Sequence, residues 1–264
     1  MSMEFSLVFG ATGVIGKEFC KALAIRGENL VISSRYENKL QLLKNEITAL
    51  NDKIEVITLP LDLTSSEDRI NAFSKLKSLG VLVKGLYYVS GIDTRKAFIK
   101  YDQDKLTRQA RVNFEGALST TKFAFENRAQ KLDVLVVSSA CGLTPMPYFQ
   151  EYSATKSALI YFYKGLKKEL NDKTVKITLL CPGSVPTRID VIEDIKNQGL
   201  QGRLSQKPPE YIVKAGLKAL SKNITVCVPG FYNKVVAVLS KITPYGIRAK
   251  IISKKFKDKE KDAF

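Results

Sequence analysis

Apolar and polar positions along this chain alternate between two kinds of segment. Short apolar runs, such as Phe5-Ser-Leu-Val-Phe9, Leu30-Val-Ile-Ser-Ser34 and Leu135-Val-Val-Ser-Ser139, read as buried strands. Between them lie longer helical segments, of which the stretch 17–26 is amphipathic. Strands are predicted over 4–9, 29–34, 54–59, 84–90, 133–139, 175–181 and 224–229, with helices between them. Such alternation predicts an α/β fold, a doubly wound parallel sheet with helices on both faces. No Pro/Gly/Ser-rich linker interrupts it, and no internal repeat is found.

After residue 230 the pattern changes. Tyr232, Val235, Val236 and Leu239 recur at helical spacing, Pro244-Tyr-Gly246 interrupts, and Ile247, Ile251, Ile252 and Phe256 then alternate with Arg248, Lys250, Lys254, Lys255 and Lys257. We therefore divide the chain into a main domain, 1–230, and a basic amphipathic extension, 231–264. The preferred expectation is that the extension packs its apolar face on the domain or a second subunit, with 257–264 a solvated tail. Peripheral contact with an anionic membrane surface is the alternative.

Composition adds one strong signal. The 264 residues include 42 basic and 26 acidic side chains, a net charge of +16, which favours anionic partners. Nucleic acid is disfavoured, because no binding motif accompanies the charge. No stretch approaches eighteen uninterrupted apolar residues, and the first strand begins almost at Met1, leaving no room for a cleavable signal. A cytoplasmic protein is expected. Cys20, Cys141, Cys181 and Cys227 show no Cys-x-x-Cys spacing and histidine is absent, which argues against a disulfide framework, a metal site or His-based catalysis. Cys141 is read as a small core residue rather than a pocket residue.

Candidate chemistry centres on Ser139, Tyr152 and Lys156. Ser139 ends a predicted strand, and Tyr152 and Lys156, four apart on a predicted helix, share a face. A free phenol titrates near pH ~10, and a neighbouring ammonium favours its ionised form. Lys156 is thus expected to lower the Tyr152 pKa, making an acid that protonates an alkoxide as a carbonyl is reduced. The Ser139 hydroxyl donates to the same oxygen, and Asn113 holds a water against Lys156. Tyr-x-x-x-Lys also arises by chance on surface helices; its weight here comes from the glycine-rich turn that precedes it.

That turn, Gly10-Ala-Thr12-Gly13-Val14-Ile15-Gly16, lies between a strand and an amphipathic helix. Glycines allow close backbone approach to a pyrophosphate, and the helix amino terminus offers N–H donors. The second strand ends at Ser34-Arg35, where an acid would select NAD(H); Arg35 with Ser34 instead suits a 2′-phosphate, so NADP(H) is favoured. Glu37 is the less well placed acid that NAD(H) would need. Asp62, at the end of the third strand, either contacts adenine or caps the next helix.

On these residues the chain resembles the single-domain short-chain dehydrogenases/reductases, from residue 5 to residue 229, with a variant glycine motif and a Rossmann-like sheet. The resemblance makes Tyr152 the acid/base, Lys156 its pKa-lowering and ribose-binding partner, Ser139 the substrate-oxygen donor and Asn113 the relay residue. It adds Asp62 with Leu63, Gly91 and the stretch Pro182-Gly183-Ser-Val185-Pro-Thr187 to the cofactor site, makes 186–208 a mobile lid, and implies a homodimer or homotetramer. Two departures stand out. The glycine spacing matches extended members, many of which act on nucleotide-linked sugars, and Tyr88-Val89-Ser90-Gly91 replaces the usual Asn-Asn-Ala-Gly. Met146, Tyr148 and Phe149 either wall the substrate site or pack under the Tyr152 helix. The expected activity is hydride transfer between NADP(H) and a small-molecule carbonyl or alcohol, a ketone or 3-oxoacyl compound with or without an anionic handle. A nucleotide-linked sugar is the runner-up substrate, and an NADPH-sensing module without turnover the alternative class.

Overall fold

A computed structural model of the chain describes residues 3–257 and 260–262. Its strands are β1 (Glu4–Phe9), β2 (Asn29–Ser34), β3 (Val56–Pro60), β4 (Leu82–Tyr88), β5 (Thr94–Arg95), β6 (Arg128–Val137), β7 (Val175–Leu180), β8 (Val226–Cys227) and β9 (Lys261–Asp262). Seven form one sheet in the order β3-β2-β1-β4-β6-β7-β8, every neighbouring pair parallel. The order reverses between β1 and β4, the switch point at which open α/β sheets bind ligands beyond their carboxyl ends.

The helices are α1 (Val14–Ile25), α2 (Glu37–Leu50), α3 (Ser66–Ser78), α4 (Gln103–Ala110), α5 (Gly116–Glu126), α6 (Gln150–Leu170), α7 (Ile189–Asn197), α8 (Gly199–Ser205), α9 (Pro209–Ser221), α10 (Phe231–Ile242) and α11 (Tyr245–Phe256). Period-two alternation along the strands sends side chains to two separate cores. Leu7, Phe9, Val134 and Val136 pack with Leu76 of α3, Phe123 of α5 and Leu159 of α6. Val8, Ile32, Leu135 and Val137 pack with Phe19 of α1, Leu43 of α2 and Leu217 of α9. Because both faces are covered, β1 and β2 and the second half of β6 are mostly apolar, which is why the sequence shows runs there instead of alternation. Truncating a fully buried member such as Leu135 to Ala would cost roughly 2–5 kcal/mol.

The first two strands match expectation to the residue, while β3, β4 and β7 differ by one or two residues at one end or both and β6 ends at Val137, two residues before Ser139; three features differ more. β6 begins at Arg128, because Arg128 pairs with Val83 before a register shift brings Asp133 opposite Gly85; its polar first half hid it from an apolar pattern. β8 is only two residues long. β5 and β9 form an unforeseen antiparallel pair, and with a Lys100–Glu260 ion pair of 2.5 Å they tie part of the expected solvated tail to the domain. The rest of that tail, 258–259 and 263–264, lies outside the described residues. No described helix is long and apolar enough to cross a membrane.

Candidate active site

The glycine turn is held from both sides. Gly10 and Ala11 donate their N–H groups to the Ser33 carbonyl at 3.0 Å, and Gly13 N–H closes onto the Gly10 carbonyl at 3.1 Å. Gly10 has φ +82° and lies so close to Ser90 that a Cβ would sit 2.7 Å from its backbone nitrogen; a Cβ on Gly16 would lie 2.1 Å from the Gly10 carbonyl oxygen. Both positions therefore require glycine. Helix α1 starts at Val14 without a side-chain cap, so the amides of its first turn are available to an anion.

Thr12, Gly13, Val14, Ile15, Ser34, Arg35, Asp62, Leu63 and Gly91 line the same cavity, of about 1150 Å³. Ser34 Oγ is buried without a hydrogen-bond partner among the described residues, and Arg35 and Lys39 both line the cavity beside it. Glu37 is not among the lining residues; its carboxylate accepts from Gln41 at 2.5 Å and Thr58 at 3.1 Å. Burial works to raise the Asp62 pKa, but hydrogen bonds from Thr64 and the charges of Arg108 and Arg35 outweigh it and hold the carboxyl low. Ser65, not Asp62, caps α3, accepting from Asp68 N–H at 3.1 Å.

The orphan Ser34 hydroxyl, the uncapped amides and the glycine-dependent turn fit a nicotinamide dinucleotide.

Beyond the turn, Ser139, Tyr152, Lys156, Pro182, Gly183, Val185 and Thr187 line the continuation of the cavity. Cys141 N–H donates to Ser139 Oγ at 3.1 Å, which leaves the Ser139 proton for another acceptor. Burial raises the Tyr152 phenol well above its ordinary value; Cys141 and Asp93 push it further, while a Ser139 hydrogen bond and the Arg188 charge pull it down. Lys156 Nζ is turned to the Val137 carbonyl at 2.9 Å and lies 5.8 Å from the Tyr152 ring centroid. The expected depression of the phenol by Lys156 is thus not among the leading effects here. Burial lowers Lys156 itself to about 8.

Asn113 owes its position to a π-helical turn, Arg111–Glu115. Its side chain accepts from Ile92 N–H at 2.8 Å and donates to the Ile92 carbonyl at 2.9 Å and Thr155 at 3.1 Å. It thereby fastens the segment after β4 that lacks the usual asparagines. A Cβ on Gly91 would lie 3.0 Å from Lys156 Nζ and 3.6 Å from Asn113 Oδ1, so both side chains converge on this glycine.

Several wall residues carry no local sequence signal. Arg188 pairs with Asp93 at 2.7 Å across the cavity, Arg95 pairs with Asp194 at 2.9 Å, and Arg248 of α11 hydrogen-bonds Thr144. Asn233 of α10 packs on Gly183 and donates to the Ser205 and Pro229 carbonyls, each at 2.9 Å. Met146 and Phe149 line the cavity and Tyr148 does not; Phe149 stacks on Tyr152 with centroids 4.6 Å apart. Cys141 also lines the cavity and is only half-buried, which corrects its reading as a core residue. Residues 189–205 of the expected lid form α7 and α8, and Val191, Ile195, Val236, Ile252 and Phe256 make an apolar wall. Among the described residues no His/Cys/Asp/Glu group could hold a metal ion.

The model of one known protein family, described as short chain dehydrogenase, matches residues 4–196. The chain is 28% identical over 234 residues to a very-long-chain 3-oxoacyl-CoA reductase of Neurospora crassa, covering 86% of this chain and 68% of that protein. It is 30% identical to the Bos taurus protein of that name, covering 82% and 68%, and 29% identical to that of Anas platyrhynchos, covering 97% and 84%. Among solved structures, a 7beta-hydroxysteroid dehydrogenase superposes with a TM-score of 0.82 at 22% identity over 95% of this chain and 96% of that one. A short chain dehydrogenase from Burkholderia cenocepacia in complex with NADP gives 0.75 at 17% identity, over 88% and 98%.

Proposed function

Because the chain belongs to the short chain dehydrogenase family and is an oxidoreductase of CH–OH and C=O groups, we propose that it reduces the 3-oxo group of a long acyl thioester with NADPH. The reduced nicotinamide, when bound, supplies the hydride to the carbonyl carbon. Ser139 donates a hydrogen bond to the substrate oxygen, since its own lone pair is already engaged by Cys141 N–H. Tyr152 gives its phenolic proton to that oxygen as negative charge develops there. Lys156, largely protonated at neutral pH, stabilises the resulting phenolate and holds the ribose. Asn113 fastens the segment at Ile92 and relays a proton from solvent.

One observation carries the reading: the two hydroxyls stand inside one continuous cavity that has Arg35 and Ser34 at one end and the apolar faces of α10 and α11 at the other. That wall suits an alkyl chain, and the arginines and lysines about it suit the phosphates of a thioester carrier. The matched relatives are named for such substrates. Initial rates of NADPH oxidation against 3-oxoacyl-CoAs of increasing length test it. The expected result is kcat/KM rising with chain length and a preference for NADPH over NADH. Turnover confined to nucleotide-linked keto sugars, or NADPH binding without turnover of any carbonyl, would contradict it.

A further inference from the structure

Helices α10 and α11 are apolar on two sides. Tyr232, Val236 and Ser240 of α10 and Ile252 and Phe256 of α11 face the cavity. On the opposite side of α10, Phe231, Val235, Val238 and Ile242 fall at i, i+4, i+7 and i+11, one stripe of a helix. Phe231 is 83% exposed and Ile242 73% exposed. Lys234 and Lys241 flank that stripe. The outward side of α11 repeats the arrangement with Ile247, Lys250, Ile251 and Lys254 at i, i+3, i+4 and i+7. Asn233 is the one buried residue of α10, and α11 has none. Two twelve-residue helices therefore show solvent a run of aliphatic and aromatic side chains with lysines interleaved. Patches of this kind mark interaction surfaces.

Charge selects the partner. Residues 231–257 contain no Asp or Glu, while Lys234, Lys241, Lys250, Lys254 and Lys257 all belong to the segment. A surface that is both apolar and exclusively basic matches an anionic bilayer, whose headgroups attract the lysines while the aliphatic side chains enter the acyl boundary. A second copy of this chain, itself at net +16, would bring like charges together. The same face borders the cavity: Leu239 and Ile251 line it and are nevertheless 50% and 62% exposed, so cavity wall and outer surface meet there. We propose that the outward faces of α10 and α11 dock the protein peripherally on anionic phospholipid, with the cavity mouth turned toward the lipid.

The test is co-sedimentation of the full chain with vesicles of phosphatidylcholine alone or mixed with phosphatidylserine. Two variants alter residues outside the cavity: Phe231→Ser with Ile242→Ser, and Lys250→Glu with Lys254→Glu. Expected are binding only to the phosphatidylserine vesicles, weakening with salt, and a loss of about tenfold or more in the lysine variant and a comparable loss in the apolar variant. Both variants should keep the parental melting temperature and NADPH affinity. The proposal is overturned if the intact protein ignores phosphatidylserine vesicles at low salt, or if both variants bind as the parent does. It is equally overturned if the apolar variant changes only the oligomeric state, which would make a second copy the occupant. The readout needs no turnover, so failure of the reductase reading leaves it standing.

Discussion

At Tyr152 and Lys156 burial penalises the charged form of each residue, raising the phenol and lowering the ammonium. The lysine makes a pH prediction possible. Its pKa is about 8 in the folded protein against an ordinary 10.5, so between those values the unfolded chain holds more protons than the folded one, and stability rises with pH across that window. Below pH 8 the cost of burying the ammonium is fully present; above 10.5 it is gone. Denaturant titrations of the parent minus Lys156→Met should show a slope of up to about 1.4 kcal/mol per pH unit in that window and none below it. An equal dependence in both proteins would contradict the burial. Arg35 is the second residue with a separable effect. Arg35→Ala should weaken NADPH roughly tenfold or more, the scale of a lost charged hydrogen bond, and leave NADH binding unchanged in fluorescence titrations.

The element that limits substitution most is the strand-turn-helix unit of β1, the glycine turn and α1. A methyl group at Gly16 would lie 2.1 Å from a backbone oxygen, so neither a rotamer change nor a side-chain shift can relieve it. Gly16→Ala should lower the melting temperature and abolish detectable NADPH binding, whereas Gly246→Ala, where a Cβ meets nothing within 4 Å, should do neither. How legible each element was follows from the range of its interactions. β1 and β2 were readable to the residue because each is a doubly buried apolar run ending at the turn or at Ser34. The first half of β6 was not, because Arg128, Gln130 and Lys131 are exposed and the strand is started there by the pairing of Arg128 with Val83 of β4. Ser139, Tyr152 and Lys156 were legible from their spacing, although Ser139 falls two residues beyond the end of β6. Asp93–Arg188, Arg248–Thr144 and Asn233 on Gly183 were not, because those partners are brought together only by tertiary packing.

For the whole molecule, the carboxyl-terminal helices complete the cavity that the sheet begins. The sheet's switch point supplies the glycine turn, the turn just after β6 supplies Ser139, α6 supplies Tyr152 and Lys156, and α10 with α11 supplies the apolar far wall. This arrangement explains why 231–264, which its sequence marks as a separate basic extension, reaches the site through Asn233 and Arg248. The proposed reaction turns on hydride transfer with proton delivery by Tyr152. The most direct measurement follows deuterium from NADPH deuterated at both C4 positions into the product of a long-chain 3-oxoacyl-CoA, for the parent and for Tyr152→Phe. Expected are deuterium at C3 of the 3-hydroxyacyl product and a rate lower by about 10²-fold or more in the variant, with NADPH binding retained. Unlabelled product, or a variant as fast as the parent, would contradict it.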